Sequence, residues 1–124
     1  MVKLVQCIRR KPGLTTEQFR EAWEAYGEKL RVMAIELGAV RVVLSTTLET
    51  PLNEALSAAR GSVLPFDGVA EVIWQRGSDI LADARLPATR QRIALLRGFQ
   101  ETFADVGRSA FFFAHQQDML DAAE

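Results

Sequence analysis

A carboxylate stands between apolar neighbours in the segment Phe66–Gln75, FDGVAEVIWQ. Side chains alternate along a strand, so Glu71 shares a face with Val69 and Ile73, while Ala70, Val72 and Trp74 share the other. Apolar walls disfavour the charged form of an acid and raise its pKa toward values useful in general acid–base chemistry. Glu71 is therefore the first catalytic candidate. The competing reading pairs it with a strand arginine such as Arg41, or lets it reach solvent at the rim of an assembly. His115 is the only histidine and the second catalytic candidate, because its intrinsic pKa suits a base or proton shuttle. It shares a strand face with Phe111 and Phe113; the competing reading is a strand-end histidine bonded to backbone. Gln6, between Leu4 and Ile8 on a strand face, is placed either to orient a ligand carbonyl or to face solvent. Trp23 and Tyr26 lie on an apolar helical stripe, where aromatics commonly pack a core. A buried tyrosine hydroxyl also seeks a partner, so Tyr26 can point into a pocket. Gln6, Trp23, Tyr26 and Phe113 form the expected substrate-binding set.

Other chemistries find no support. One histidine without a second His or Cys nearby gives no metal-ligand spacing, so no metal is expected. There is no phosphate-binding glycine loop, G-x-S-x-G elbow or dinucleotide fingerprint, and no cofactor is expected. Cys7 is the single cysteine. It cannot form an internal disulfide, which suits a reducing, cytoplasmic setting. With a formal net charge of −1, the chain has no global field to attract nucleic acid or an anionic membrane. The basic cluster Arg9-Arg10-Lys11 lacks the aromatic interleaving of a nucleic-acid surface. No apolar run approaches the ~20 residues of a membrane helix, and the N-terminus reads as a first strand, not as a signal peptide.

The elements that must position these residues are legible from periodicity and breakers. Val2–Arg10 reads as a strand stopped by Lys11-Pro12-Gly13. Thr15 and Gln18 fit a capping box that opens a helix running to about Leu37. Phe19, Trp23, Tyr26, Leu30, Met33 and Leu37 form its apolar stripe, and Gly38 terminates it. Val40–Thr47 is a second strand. Thr50-Pro51 starts a short helix, Leu52–Arg60. Phe66–Gln75 is the third strand, launched by the Asp67-Gly68 turn. A helix capped by Ser78 is interrupted by Pro87. A longer helical segment, Ala88–Ala104, carries Ile93, Leu96, Phe99 and Phe103 along one side. Arg108–Gln116 is the last strand, and the remaining residues read as a tail, helical in part. With no repeats or linkers, residues 1–124 are expected to form one domain.

Setting the short helix aside leaves βαββαβ, the ferredoxin-like arrangement: an α+β fold with a four-stranded antiparallel sheet and helices on one face. Such a sheet should be polar on its uncovered face. Here apolar residues occupy both faces of every strand. A second copy covering the open face solves this, so a homodimer, a dimeric α+β barrel burying on the order of 2,000 Å² or more, is expected. The alternative is a monomer whose last helix or tail wraps the second face.

The segments RRKPGLTTEQFREAW (Arg9–Trp23) and FDGVAEVIW (Phe66–Trp74) resemble the signatures of the EthD family, named for a protein of ethyl tert-butyl ether degradation. The resemblance implies the dimeric α+β barrel and a pocket for small organic molecules. Family members commonly carry an aromatic-Trp pair on the first helix, with a histidine four residues after the Trp. Here those positions hold Ala22, Trp23 and Gly27, so the histidine is missing. Two functions follow as expectations. One is a cofactor-free enzyme of the isomerase, lyase or oxygenase kind, with Glu71 moving a proton. The other is a non-catalytic accessory protein or ligand carrier of a monooxygenase-linked degradation system, the reading that the missing histidine favours.

Overall fold

The computed structural model describes residues 1–122, except the side chains of residues 81–84. After the first strand, β1 (Val2–Ile8), Gly13 takes a positive φ of 92° at the breaker. Thr15 and Gln18 then cap the first helix, α1 (Thr16–Glu36), reciprocally: each side chain bonds the other's backbone N–H. That satisfies two amides which otherwise lack partners at a helix start. Leu37 ends the helix, and Gly38 follows with φ 77°. The chain continues through β2 (Arg41–Thr46), α2 (Pro51–Arg60), β3 (Gly68–Trp74), α3 (Gly77–Ala84), α4 (Pro87–Gln100), a short 3₁₀ turn and β4 (Ala110–His115).

Strand ends shift by one or two residues, α3 starts at Gly77 ahead of the Ser78 expected to cap it, and both ends of α4 differ for physical reasons. Pro87 opens α4 instead of preceding it, because its fixed φ suits a first helical position. The helix stops at Gln100, short of Ala104. Residues 101–104 turn back onto the end of β1, where Lys11 N–H donates to Phe103 O (2.9 Å) and Ala104 bridges Arg10. Residues 117–122 have no regular structure. Any helical part of the tail at residues 123–124 lies outside the described residues.

The four strands form one antiparallel sheet in the order β2-β3-β1-β4. Register sorts every strand residue into one of two faces. One row reads Leu44, Ala70, Gln6, Phe111 across the sheet, and the next Val42, Val72, Leu4, Phe113. This is the face that the helices cover. Ile8, Ala70, Val72 and Trp74 join Phe19, Trp23, Tyr26 and Leu30 of α1 in the core. The opposite face carries the row Val43, Glu71, Val5, Phe112, flanked by Arg41, Ile73, Lys3 and Ala114. It is mostly apolar, as expected, and Phe112 on it is 48% exposed.

Two glycines fix how closely α1 lies on the sheet. A Cβ on Gly68 would sit 2.6 Å from Cε2 of Trp23, so the indole rests directly on the start of β3. Gly68 is therefore more than a turn residue. A Cβ on Gly27 would sit 2.7 Å from Cδ2 of Leu44. At the position where EthD proteins commonly carry histidine, this helix instead comes down onto a β2 leucine.

Candidate functional site

Between the sheet and the helices lies a cavity of about 490 Å³. Its walls are apolar: Leu4 and Val72 from the sheet, Leu30 and Met33 from α1, Ile93 and Leu96 from α4. Phe113 closes one side from edge strand β4, with its ring 6.5 Å from that of Trp74. Arg97 and Glu101, both exposed, also line the cavity.

Three polar side chains meet in this apolar wall. Tyr26 Oη donates to Gln6 Oε1 at 2.6 Å. Gln100 Nε2 donates to Gln6 Oε1 at 3.2 Å and to Tyr26 Oη at 3.0 Å. Gln6 is only 7% exposed, Gln100 6% and Tyr26 2%. Three elements thus each contribute one member: β1, α1 and α4. Buried polar groups are costly unless paired, so the triangle also locks α1 and α4 against the sheet. Burial pushes the Tyr26 phenol up to about 12, opposed in part by its bond to Gln6. At neutral pH Tyr26 is therefore a neutral hydroxyl, able to donate or relay a proton and unsuited to act as a phenolate.

The expected site residues are placed as follows. Gln6, Tyr26 and Phe113 line the cavity together. Trp23 lies in the core beside it, stacked on both Phe19 and Tyr26, with its indole N–H donating to Ser45 O at 3.1 Å. It supports Tyr26 from behind. Glu71 points from the opposite face of the sheet, where its carboxylate pairs with Lys3 at 2.5 Å, a partner the sequence reading did not name. The pair is partly exposed, so within one chain Glu71 lacks the apolar enclosure that motivated it. His115 is exposed at the end of β4, two residues beyond Phe113, and does not line the cavity. Gln100 was missed. Its signal was periodicity: it stands four residues after Leu96 and seven after Ile93, on the stripe that faces the core.

On the described residues, no group of three or more His, Cys, Asp or Glu side chains could hold a metal ion. No helix is long and apolar enough to cross a membrane.

A ferredoxin-like sheet with an apolar cavity under its helices defines a class of small α+β proteins. Residues 11–107 match the EthD domain; this chain belongs to the EthD family. Among solved structures it is similar to an EthD family protein from Bacillus halodurans (TM-score 0.62, 13% identity, 94% of this chain and 99% of that one). It is also similar to a dimeric protein of unknown function and ferredoxin-like fold from Bacteroides fragilis (TM-score 0.61, 7% identity, 93% and 95%). A third similar structure is SnoaB, a cofactor-independent oxygenase from Streptomyces nogalater (TM-score 0.55, 13% identity, 96% and 95%). No curated protein matches the chain. At these identities the likeness speaks to fold, which is ferredoxin-like as expected.

Proposed function

We propose that this protein binds a small, largely apolar organic molecule in the cavity between sheet and helices, and that it does so as a homodimer joined through the open sheet face. The cavity carries the first part: about 490 Å³ of apolar space with one buried polar triangle in its wall. Small-molecule sites have this composition, apolar walls with a few placed polar groups that set orientation. Gln6, Tyr26 and Phe113 are the ligand contacts in this proposal. The second part rests on the half-exposed Phe112 and the apolar residues Val43, Val69 and Ala114 that share its sheet face, a face that solvent disfavours. The description of the Bacteroides fragilis structure as dimeric agrees with it. In the dimer, the partner would cover the Lys3–Glu71 pair.

The binding role fits either a ligand carrier or a cofactor-free enzyme. The carrier reading is preferred, because among the described residues no carboxylate or histidine is buried in the cavity wall to act as a base. The observation favouring catalysis is the Tyr26 hydroxyl, a neutral proton relay inside the cavity; the similarity to a cofactor-independent oxygenase points the same way. In that case the reactive electrons come from the substrate.

Naphthalene, a small apolar probe, tests the binding proposal. Saturable one-to-one binding is expected, reduced at least tenfold by Ile93→Trp, which fills the cavity from α4. Absence of binding, or binding indifferent to this substitution, would overturn the cavity reading. Native mass spectrometry of the same sample reports dimer mass and any retained ligand.

A further inference from the structure

The hydrogen bonds within the triangle leave two polar atoms over. Gln6 accepts twice through Oε1, from Tyr26 and from Gln100. Gln100 donates both of its bonds through Nε2. Among the described residues, neither Gln6 Nε2 nor Gln100 Oε1 has a hydrogen-bond partner. Yet no partnerless side-chain nitrogen or oxygen of the described residues is sealed from accessible space. Both residues are more than nine-tenths buried, and both line the cavity. The accessible space these two atoms meet is therefore the cavity itself.

As the two amides are oriented, each has one free atom, and turning both over exchanges their roles while still leaving one donor and one acceptor. Tyr26 uses its one proton on Gln6 Oε1, which turns Gln6 N–H₂ toward the unoccupied side. Gln100 turns one N–H toward Gln6 and Tyr26, shared between them, which leaves its carbonyl oxygen free. The cavity wall thus offers one donor and one acceptor side by side, both uncharged. Resting on the small-molecule reading above, we infer that the ligand carries a neutral group that donates and accepts at once: a hydroxyl, an enol, a carboxylic acid in its protonated form or a lactam. An ether or ketone satisfies only Gln6 and leaves the Gln100 carbonyl facing apolar surface. An ionised carboxylate likewise has no proton for Gln100, and no positive charge lies within the triangle to hold it. Arg97, the cationic side chain lining the cavity, is an exposed residue of α4.

Discrimination should be large enough to measure. One net hydrogen bond contributes about threefold to tenfold in affinity, and a buried acceptor left bare costs about as much again. The experiment compares naphthalene, 2-methoxynaphthalene, 2-naphthol and 2-naphthoate by fluorescence titration of the full chain. The expected result is 2-naphthol binding at least about tenfold more tightly than 2-methoxynaphthalene, with 2-naphthoate weaker than 2-naphthol at neutral pH. Gln100→Met keeps side-chain length and removes the acceptor. It should cut the preference for 2-naphthol over its methyl ether to below about threefold. Equal binding of 2-naphthol and its methyl ether by the unsubstituted protein would overturn the inference and leave the cavity reading standing. Failure of all four probes would overturn the cavity reading itself. The comparison on the unsubstituted protein stands whether or not the variant folds.

Discussion

Replacing Tyr26 with phenylalanine removes one oxygen from the centre of the fold. That oxygen takes part in two of the three bonds of the triangle. Its loss deletes the 2.6 Å bond to Gln6 and the 3.0 Å branch of the shared bond from Gln100, a residue 6% exposed. A typical buried hydrogen bond contributes about 1 kcal/mol net, and two are lost here. The substitution should therefore lower unfolding free energy by roughly 2 kcal/mol. In a Gln100→Met background only the bond to Gln6 is left to lose, and the same change should cost about 1 kcal/mol. The pair should then couple by about 1 kcal/mol in a double-mutant cycle measured by urea unfolding. Additivity within about 0.3 kcal/mol would refute the triangle as a connected unit. The same hydroxyl has a pH signature. Its pKa rises on folding from 10.0 to about 12. The unfolded chain therefore loses this proton first, so the contribution to stability is complete below pH 10.0 and disappears as pH rises toward 12. Tyr26→Phe should flatten that part of the alkaline stability profile.

Further expectations follow from single contacts. Gly68→Ala places a Cβ 2.6 Å from the Trp23 indole and should cost about 1–3 kcal/mol by thermal or chemical unfolding; a neutral result would contradict the close seating of α1 on β3. Glu71→Gln should leave the affinity for cavity ligands unchanged, since the carboxylate lies on the other face of the sheet; a change above about tenfold would return Glu71 to the site. The same substitution should cost no more than about 1 kcal/mol in stability, because the Lys3 pair is partly solvated. Light scattering coupled to size exclusion should give twice the chain mass at micromolar concentration, and Phe112→Asp should shift it toward the monomer; a stable folded monomer of the unsubstituted chain would remove the dimer proposal.

The fold was legible because its signals are local. The Thr15–Gln18 capping box, Gly38 after α1 and Pro51 at the start of α2 each fix a boundary within a few residues, and the alternation in each strand fixes which residues share a face. Alternation cannot say which face the helices take. Glu71 and Ala70 are equivalent in period; what decides between them is the small Gly68–Ala70 surface on which Trp23 sits, a fit made across residues far apart in sequence. That is why Gln6 and Tyr26 could be singled out as candidates, yet their meeting with Gln100 could not. Gln100 shows its position only when α4 is laid against β1 and α1. Its polarity on an apolar stripe was the one advance sign. The Gly27 departure from the EthD pattern was equally plain in sequence, but its reason, the contact with Leu44, requires the packed helix.

Amide-selective NMR during titration with 2-naphthol tests the central claim most directly, because the sheet separates two candidate faces. Binding in the cavity predicts the largest shifts at the side-chain amides of Gln6 and Gln100, and at Leu4, Leu30 and Phe113. Val43, Val5 and Phe112 on the far face should stay nearly still. Shifts concentrated on that far face, around Glu71 and Phe112, would contradict the account and move the binding site to the other side of the sheet.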